Sequence, residues 1–535
     1  MKKGIVLLAT ALLSGSSAAL YAQSEIDAYR YSQTDLSGSA RYLGMGGAFG
    51  ALGGDISAMT TNPGGLAIYR SSEVVTTLGF TTNRTNTDWT GVSVKDSKTK
   101  FNFDNIAYVG YFPTANDEGI VSWNVGFSYN RAKNYNRSYR MSGANFGGRM
   151  GSVSDYVADV TSRAMINGNI PYSDLLYEKD VYDPYDNRHI PWLSVLGYEA
   201  GFIDPNNGEA NYVGQYQSRM YGELLNADLY VNERGGIDKY NFSFATNISN
   251  VLFIGATVGI TDLSYHTSTF YTESFGSGDN LQLGNELKTD GTGYTFNFGI
   301  IGRPTDYLRL GVAYQTKTRY KMTDYYFGDA SSFINEEIAD NKIEAKTPAG
   351  EFDYQLSTPD KWTFSVAGII GQTALISVDY ELTDYSRMKL WQDDDVPMYD
   401  TNGDIEEDFG VAHTVKAGAE VKVTPQFAVR VGGAWMTNPM KSALRNGEVE
   451  VFTAGTIPNY VVDRGTTSHY TVGLGYRFTP NFYADVACVF KTYKENVYAF
   501  SPVGTAAGIT EGVPSLPASM KNNATQVAFT LGYKF

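Results

Sequence analysis

The sequence predicts an all-β fold: a transmembrane antiparallel β-barrel of about 14 strands, with an N-terminal hatch acting as a plug inside the lumen. Three observations carry this. In the last residues, Val527, Phe529, Leu531, Tyr533 and Phe535 share one face, while Gln526, Ala528, Thr530, Gly532 and Lys534 share the other. That two-residue period marks a strand with one apolar side, and an aromatic end suits a closing barrel strand better than a sandwich edge. Second, the same period recurs near 73–83, 101–112, 120–132, 238–248, 251–266, 292–303, 306–320, 361–371, 373–386, 411–423, 426–437, 467–478, 481–493 and 524–535. Third, tight turns at 113–119, Ser249-Asn250, 304–306, Gly371-Gln372, 424–426 and 479–481 alternate with much longer connections. Barrels of the outer membrane sort their connections this way, with short periplasmic turns and long external loops.

The N-terminus reads as a secretory signal over residues 1–22. Lys2 and Lys3 form the positive region, Ile5 to Leu13 the apolar run, and Ala22-Gln23 the cleavage point. That run is too short to span a bilayer as a helix. Residues 23–72 form the expected hatch segment and 73–535 the barrel, whose longest external connection is 134–237. Aromatic content of 14%, with 40 Tyr, suits girdles at two membrane interfaces. The formal charge of −15 argues against nucleic acid as a partner. Cys488 shares a strand face with Phe482, Ala484, Val486 and Phe490, as an inert apolar side chain would.

The polar faces of the strands gather Asp379, Glu381, Lys416, Glu420, Arg430, Arg477, Asp485 and Lys491 in the lumen. Mixed signs there predict ion-paired wall networks rather than an ion site. In the long connection, Ser154 to Asn167 reads as a helix with Tyr156, Val157, Val160 and Ala164 along one side and Gly168 as its stop. Tyr172, Leu175, Leu176, Tyr177, Tyr182, Tyr185, Trp192 and Tyr198 follow as aromatic surface for capping the mouth, recruiting an apolar ligand or binding a protein partner.

Before the first strand stands a segment of another kind, LGMGGAFGALGGDISAMTTNPGGLA. Its glycines permit close backbone contact with a wall, and Asn62-Pro63-Gly64-Gly65 is a turn signal. It lacks the spacing and the Lys-Ser/Thr of a phosphate loop. Met45, Phe49, Leu52, Met59 and Leu66 are its candidate apolar ligand lining.

This motif, directly before strand one, together with the signal, the fourteen strands and the terminal Phe, resembles the FadL/TodX-type outer-membrane transport proteins. The resemblance implies a hatch-plugged barrel that carries long-chain fatty acids or aromatic hydrocarbons passively. It also implies sideways exit through a wall gap beside a kinked third strand. Asn62, Pro63 and Gly64 match the family's Asn-Pro-Ala hatch turn, with Gly64 in place of Ala, and Gly126 is the expected kink. The expected partners are outer-membrane lipid and an apolar small molecule. A structural accessory barrel that binds proteins through its external loops is the alternative, and haem uptake through His189 a further one.

No enzyme is expected. His189, His266, His413 and His469 stand in no spacing that presents a Ser or carboxylate partner. No cofactor or metal is expected either. The acidic stretch from Asp393 to Asp408 places Gly403 wrongly for an EF-hand and reads as a solvated loop.

Overall fold

The computed structural model describes residues 23–335, 342–371, 373–505 and 512–535. The signal segment 1–22 and Gln372 of one expected turn lie outside the described residues. The chain begins with three short helices, α1 (Glu25–Ser32), α2 (Ala40–Gly44) and α3 (Ala58–Thr61), then a 3-10 turn at Pro63–Ile68. Next come β1 (Glu73–Trp89), β2 (Val92–Pro113) and β3 (Ile120–Asn134, continued by Arg137–Ala144). The long external excursion holds α4 (Val153–Gly168) and α5 (Trp192–Glu199). Three long strands follow, β4 (Leu224–Ile248), β5 (Leu252–Phe275) and β6 (Asn280–Gly302). Two broken strands come next: β7 (Leu308–Gln315 and Arg319–Phe333) and β8 (Lys342–Lys346, Gly350–Ser357 and Lys361–Ile370). Then come β9 (Ala374–Asp384 and Lys389–Gln392), α6 (Tyr399–Asp408), β10 (Val411–Lys422) and β11 (Phe427–Met436). The chain ends with β12 (Tyr460–Asp463 and Thr467–Arg477), β13 (Phe482–Tyr498) and β14 (Ala518–Lys534).

Each strand pairs antiparallel with its chain neighbours, and β1 pairs with β14 from Glu73↔Lys534 to Asp88↔Ser519 to close the 14-strand barrel. Backbone bonds between Ser72 and Phe535 extend that seam by one step. The expected tight turns fall where the period breaks. Ser249 and Asn250 take φ of 53° and 55°, the mirror-image turn whose twist matches flanking strands.

The long strands far exceed the roughly 9–11 residues that cross a bilayer; β4, β5 and β6 have 25, 24 and 23. On β6 the outward side chains are Glu286, Lys288 and Asp290 in the upper part, then Tyr294, Phe296, Phe298 and Ile300 below. The inward face inverts in step, from buried Leu281, Leu283 and Leu287 to Thr289, Thr295 and Asn297. The lower half is therefore built for lipid, and the upper half projects into water with an apolar interior.

That interior is filled by the external excursion, which spans 145–223 rather than the expected 134–237 because Arg137–Ala144 and Leu224–Ile248 are wall strands. Helix α4 carries a capping box of Ser152 and Asp155 and ends on Asn169 in the left-handed conformation at φ 50°. Its Val153, Tyr156, Val157 and Met165 are buried in a core with Trp89, Phe202, Leu283 and Phe500. Of the expected aromatic surface, Leu175 and Tyr185 are buried in the same core, while Leu176 and Tyr177 stay exposed. The excursion caps the barrel mouth.

Candidate functional site

Residues 23–72 run inside the barrel, and glycines let two backbones touch. A Cβ on Gly44 would sit 3.0 Å from Gly473 Cα of β12, and one on Gly64 2.8 Å from the Phe253 carbonyl of β5. Side chains then fix the register. Asn62 Nδ2 donates to the Gly50 carbonyl at 2.6 Å and to that of Ile300 at 3.3 Å, while Asn62 Oδ1 accepts from the Gly64 N–H at 3.0 Å. The buried Asp379 carboxylate accepts the N–H groups of Phe49 and Gly50 at 3.0 and 2.9 Å.

The turn at Asn62-Pro63-Gly64 thus docks on β5 and β6. Gly255 leaves the space that the Pro63 backbone occupies there, and Gly299 the space of the Asn62 side chain and the Pro63 ring. Strand three is met by its neighbours: a Cβ on Gly126 would lie 2.6 Å from Met59 Cε and 3.2 Å from Leu66 Cδ2. Met45, Phe49, Leu52, Met59 and Leu66 are each at most 2% exposed. They are packing between hatch and wall, and none lines open space in this conformation.

The open space lies above the hatch, as a cavity of about 370 Å³ between the segment 26–37 and the wall. Its lining mixes apolar side chains such as Ile237, Met436 and Val489 with polar and charged ones, and the charges are mostly paired. Lys133 and Lys491 share Asp35 at 3.4 and 2.8 Å, and Lys361 and Lys416 share Glu381 at 2.9 Å each. Arg137 bridges Glu233 and Glu495 at 2.7 Å each. Burial would raise the Asp35 carboxyl, but the two lysines more than offset it and hold it well below the usual carboxylate range. Lower down, Arg41 of the hatch and Arg430 both hold Glu420, at 2.9 and 2.6 Å, and Arg430 reaches Asp485 at 2.5 Å. The expected inward charges form such networks, except Asp379, which instead accepts the hatch N–H groups, and Arg477, which is exposed in the last residue of its strand.

The wall beside this cavity forks. The β2–β3 ladder runs from Pro113↔Ser122 to Asn105↔Asn130 and stops. Beyond it β2 continues with β1, and β3 continues with β4. Two register shifts sit at the parting: Asp104 is the extra residue of β2 against Thr77/Leu78, and Ala132 that of β3 between Arg131 and Lys133. Bulges bend strands and raise their twist, which ends the backbone pairing of these two, and Asn134 Nδ2 donates to Asn102 Oδ1 at 2.9 Å across the parting. Gly126, the expected kink, is paired on both sides, with Val109 and Ser243. On the outer surface Phe103 and Tyr129 meet across the parting with ring centroids 5.6 Å apart, and Arg131 Nε donates to Asp238 at 2.6 Å. Asn102 and Asp104 on one strand and Asn130 and Arg131 on the other all line the cavity, so it reaches the fork.

Other expected features take simpler forms. His189 is exposed, and its backbone N–H donates to Asn187 Oδ1 at 3.0 Å. Residues 399–408, read as loop, are helix α6, with Ile405 buried and Asn402 Nδ2 donating to the Leu390 carbonyl at 2.9 Å. That buried anchor outweighs the poor helix propensity of Gly403. Among the described residues no group of His, Cys, Asp and Glu is arranged to hold a metal ion.

A family model described as outer membrane protein transport protein (OMPP1/FadL/TodX) matches residues 241–535. A solved structure shares the fold. A Pseudomonas aeruginosa FadL homologue is 15% identical with a TM-score of 0.51, over 94% of this chain and 99% of that one. The P. putida toluene transporter TodX is 12% identical with a TM-score of 0.49, over 94% and 99%. No curated protein matches. The family match spans more than half the chain and includes ten of the fourteen strands with the end of β4, so this protein belongs to the OMPP1/FadL/TodX family of outer-membrane transport proteins.

Proposed function

We propose that this barrel lets small organic molecules with apolar bodies cross the outer membrane passively, leaving sideways through the β2–β3 fork. The observation that carries the reading is that fork, which the internal cavity reaches while the hatch fills the lumen below. Its outer rim bears Phe103, Tyr129 and Phe127, so an apolar molecule leaving there meets lipid, and partition into lipid supplies the driving force. In this reading residues 1–22 are removed on export and 23–72 form the gate. Asn62-Pro63-Gly64 latches it to β5 and β6. Met59 and Leu66 over Gly126, with Met45, Phe49 and Leu52, become an apolar lining only when the gate shifts. The protein catalyses no reaction in this reading.

The test is uptake of labelled long-chain fatty acids and small aromatic hydrocarbons by cells expressing the barrel. Uptake faster than in an empty strain supports the channel. No uptake, with external proteins co-purifying in fixed ratio, replaces it by an accessory barrel.

A further inference from the structure

Around the closing seam the outer wall carries cations without partners. Lys494 of β13 stands opposite Lys521 of β14, Lys521 opposite Asn86 of β1, and Asn86 opposite Lys95 of β2, so the four form one row on the outward face. The three lysines are exposed, as are Arg84, one outward step lower on β1, and Arg464, whose backbone N–H donates to the Lys494 carbonyl at 2.8 Å. None of these five cationic side chains forms a hydrogen bond or ion pair among the described residues. The outward carboxylate of β1, Asp88, accepts the Ser93 hydroxyl at 2.8 Å. Outward cations on β3 and β6, by contrast, have carboxylates: Arg140 meets Asp228 at 3.0 Å and Lys288 meets Asp290 at 2.5 Å.

Like charges directly opposite on a sheet repel, and Lys494 with Lys521 is such a pair. In a chain of formal net charge −15, a row of this kind attracts an anion from outside the molecule. Its position says which anion. Below the row, on the same four strands, the outward face is Phe490, Phe529, Phe80 and Phe101, all exposed. That is the lipid-facing band, so the row stands where acyl chains give way to headgroups, at the end of the long external loops. We propose that the row binds a bisphosphorylated lipid of the outer leaflet, its phosphates on Lys494, Lys521 and Lys95 and its acyl chains along the phenylalanine band. Phosphate oxygens accept charge-assisted hydrogen bonds from Lys and Arg. Three strand spacings of about 4.8 Å set the backbones of Lys494 and Lys95 about 14 Å apart, which suits two phosphates on one head better than a single free ion. The row crosses from β14 to β1, so one such lipid clamps the last strand to the first. This holds whether or not the barrel carries any cargo.

Native mass spectrometry of the full barrel released from detergent micelles tests it, with lipid A as the bisphosphorylated probe and dephosphorylated lipid A as its counterpart. A saturable one-to-one lipid A adduct is expected, tighter than the dephosphorylated lipid by about tenfold or more. Combining Lys95→Gln, Lys494→Gln and Lys521→Gln should weaken it about tenfold or more, whereas the same three positions changed to Arg should keep most of the affinity. Lys288→Gln, on the paired outer face of β6, should leave it unchanged. Heat-modifiable migration reports that each variant is folded, and if the triple Gln variant is not, Lys494→Gln and Lys521→Gln are measured singly, each expected to weaken the adduct about threefold or more. Inorganic phosphate at the same concentration should not displace the lipid, since it has no chains to lay on the band. Equal binding of the two lipids, wild-type affinity in the folded Gln variants, or displacement by inorganic phosphate overturns the assignment.

Discussion

The two halves of β6 obey opposite rules on one continuous strand. Below Asp290 the outward residues are Thr292, Tyr294, Phe296, Phe298 and Ile300, and the inward ones are three glycines, Thr295 and Asn297, with Ile301 at the lower end against the hatch. Above it the outward residues carry charge, and Leu281, Leu283 and Leu287 point in. Strand pairing is the same throughout, from Leu252↔Gly302 to Ser274↔Asn280. The hydrogen-bonded ladder therefore does not decide which face is apolar; the solvent on each side does. Lipid outside the lower half releases its interior for glycine, water-seeking groups and a plug. Water outside the upper half demands an oily core, which the cap supplies.

If that division is right, the same strand should respond in three ways. Leu283→Ala removes a fully buried side chain from the cap core and should cost about 2–5 kcal/mol of local stability. Faster protease cleavage within 145–223, with the transmembrane barrel still heat-modifiable, is the expected result. Phe298→Arg puts a cation on the lipid face and should cost about 2–4 kcal/mol near the bilayer midplane, read by urea unfolding from vesicles. Replacing Asn62-Pro63-Gly64 with three alanines should cost about 1–3 kcal/mol of hatch docking through the orphaned Gly50 and Ile300 carbonyls. Increased leakage of a small hydrophilic dye, with normal barrel yield, checks it.

A smaller effect concerns acid. Asp35 titrates below the usual carboxylate range in the folded chain, so its contribution is complete above about pH 4 and lost progressively beneath it. Hatch protection from protease should hold from neutral pH down to that point, and Asp35→Asn should weaken it already at pH 7. The smallest effect belongs to Lys288→Ala, on the watery outer face of the same strand, at about 0.5 kcal/mol or less. A large loss there would show that the membrane reaches higher on β6 than its aromatic band.

The inversion also explains what the sequence hid. The β6 reading starts at Thr292 because only from Tyr294 onward do the outward residues look apolar; Gln282, Glu286 and Lys288 resemble a loop, though they alternate just as strictly. Closure, the tight turns and helix α4 were legible, since each depends on local period or on caps such as Ser152. The inward charges were legible too, although which pairs they form was not. The fork was not legible, and Gly126 drew attention in its place. A bulge at Asp104 or Ala132 is a mismatch in count between two strands, and one strand read alone carries no trace of it. The acidic helix α6 was missed because its anchors, Asn402 on Leu390 and the buried Ile405, are tertiary.

The meeting of Ser72 with Phe535 has a bearing on how the molecule is made. Residues 23–72 enter the lumen at the very point where first and last strands join. Once that join is sealed from Glu73 to Asp88, a segment of three helices tied to the wall at Glu420, Asp379, Lys133 and Lys491 has no side door there. The plug must therefore be threaded to the concave side of a still-open sheet, so that closing the cylinder and corking it are one step in time.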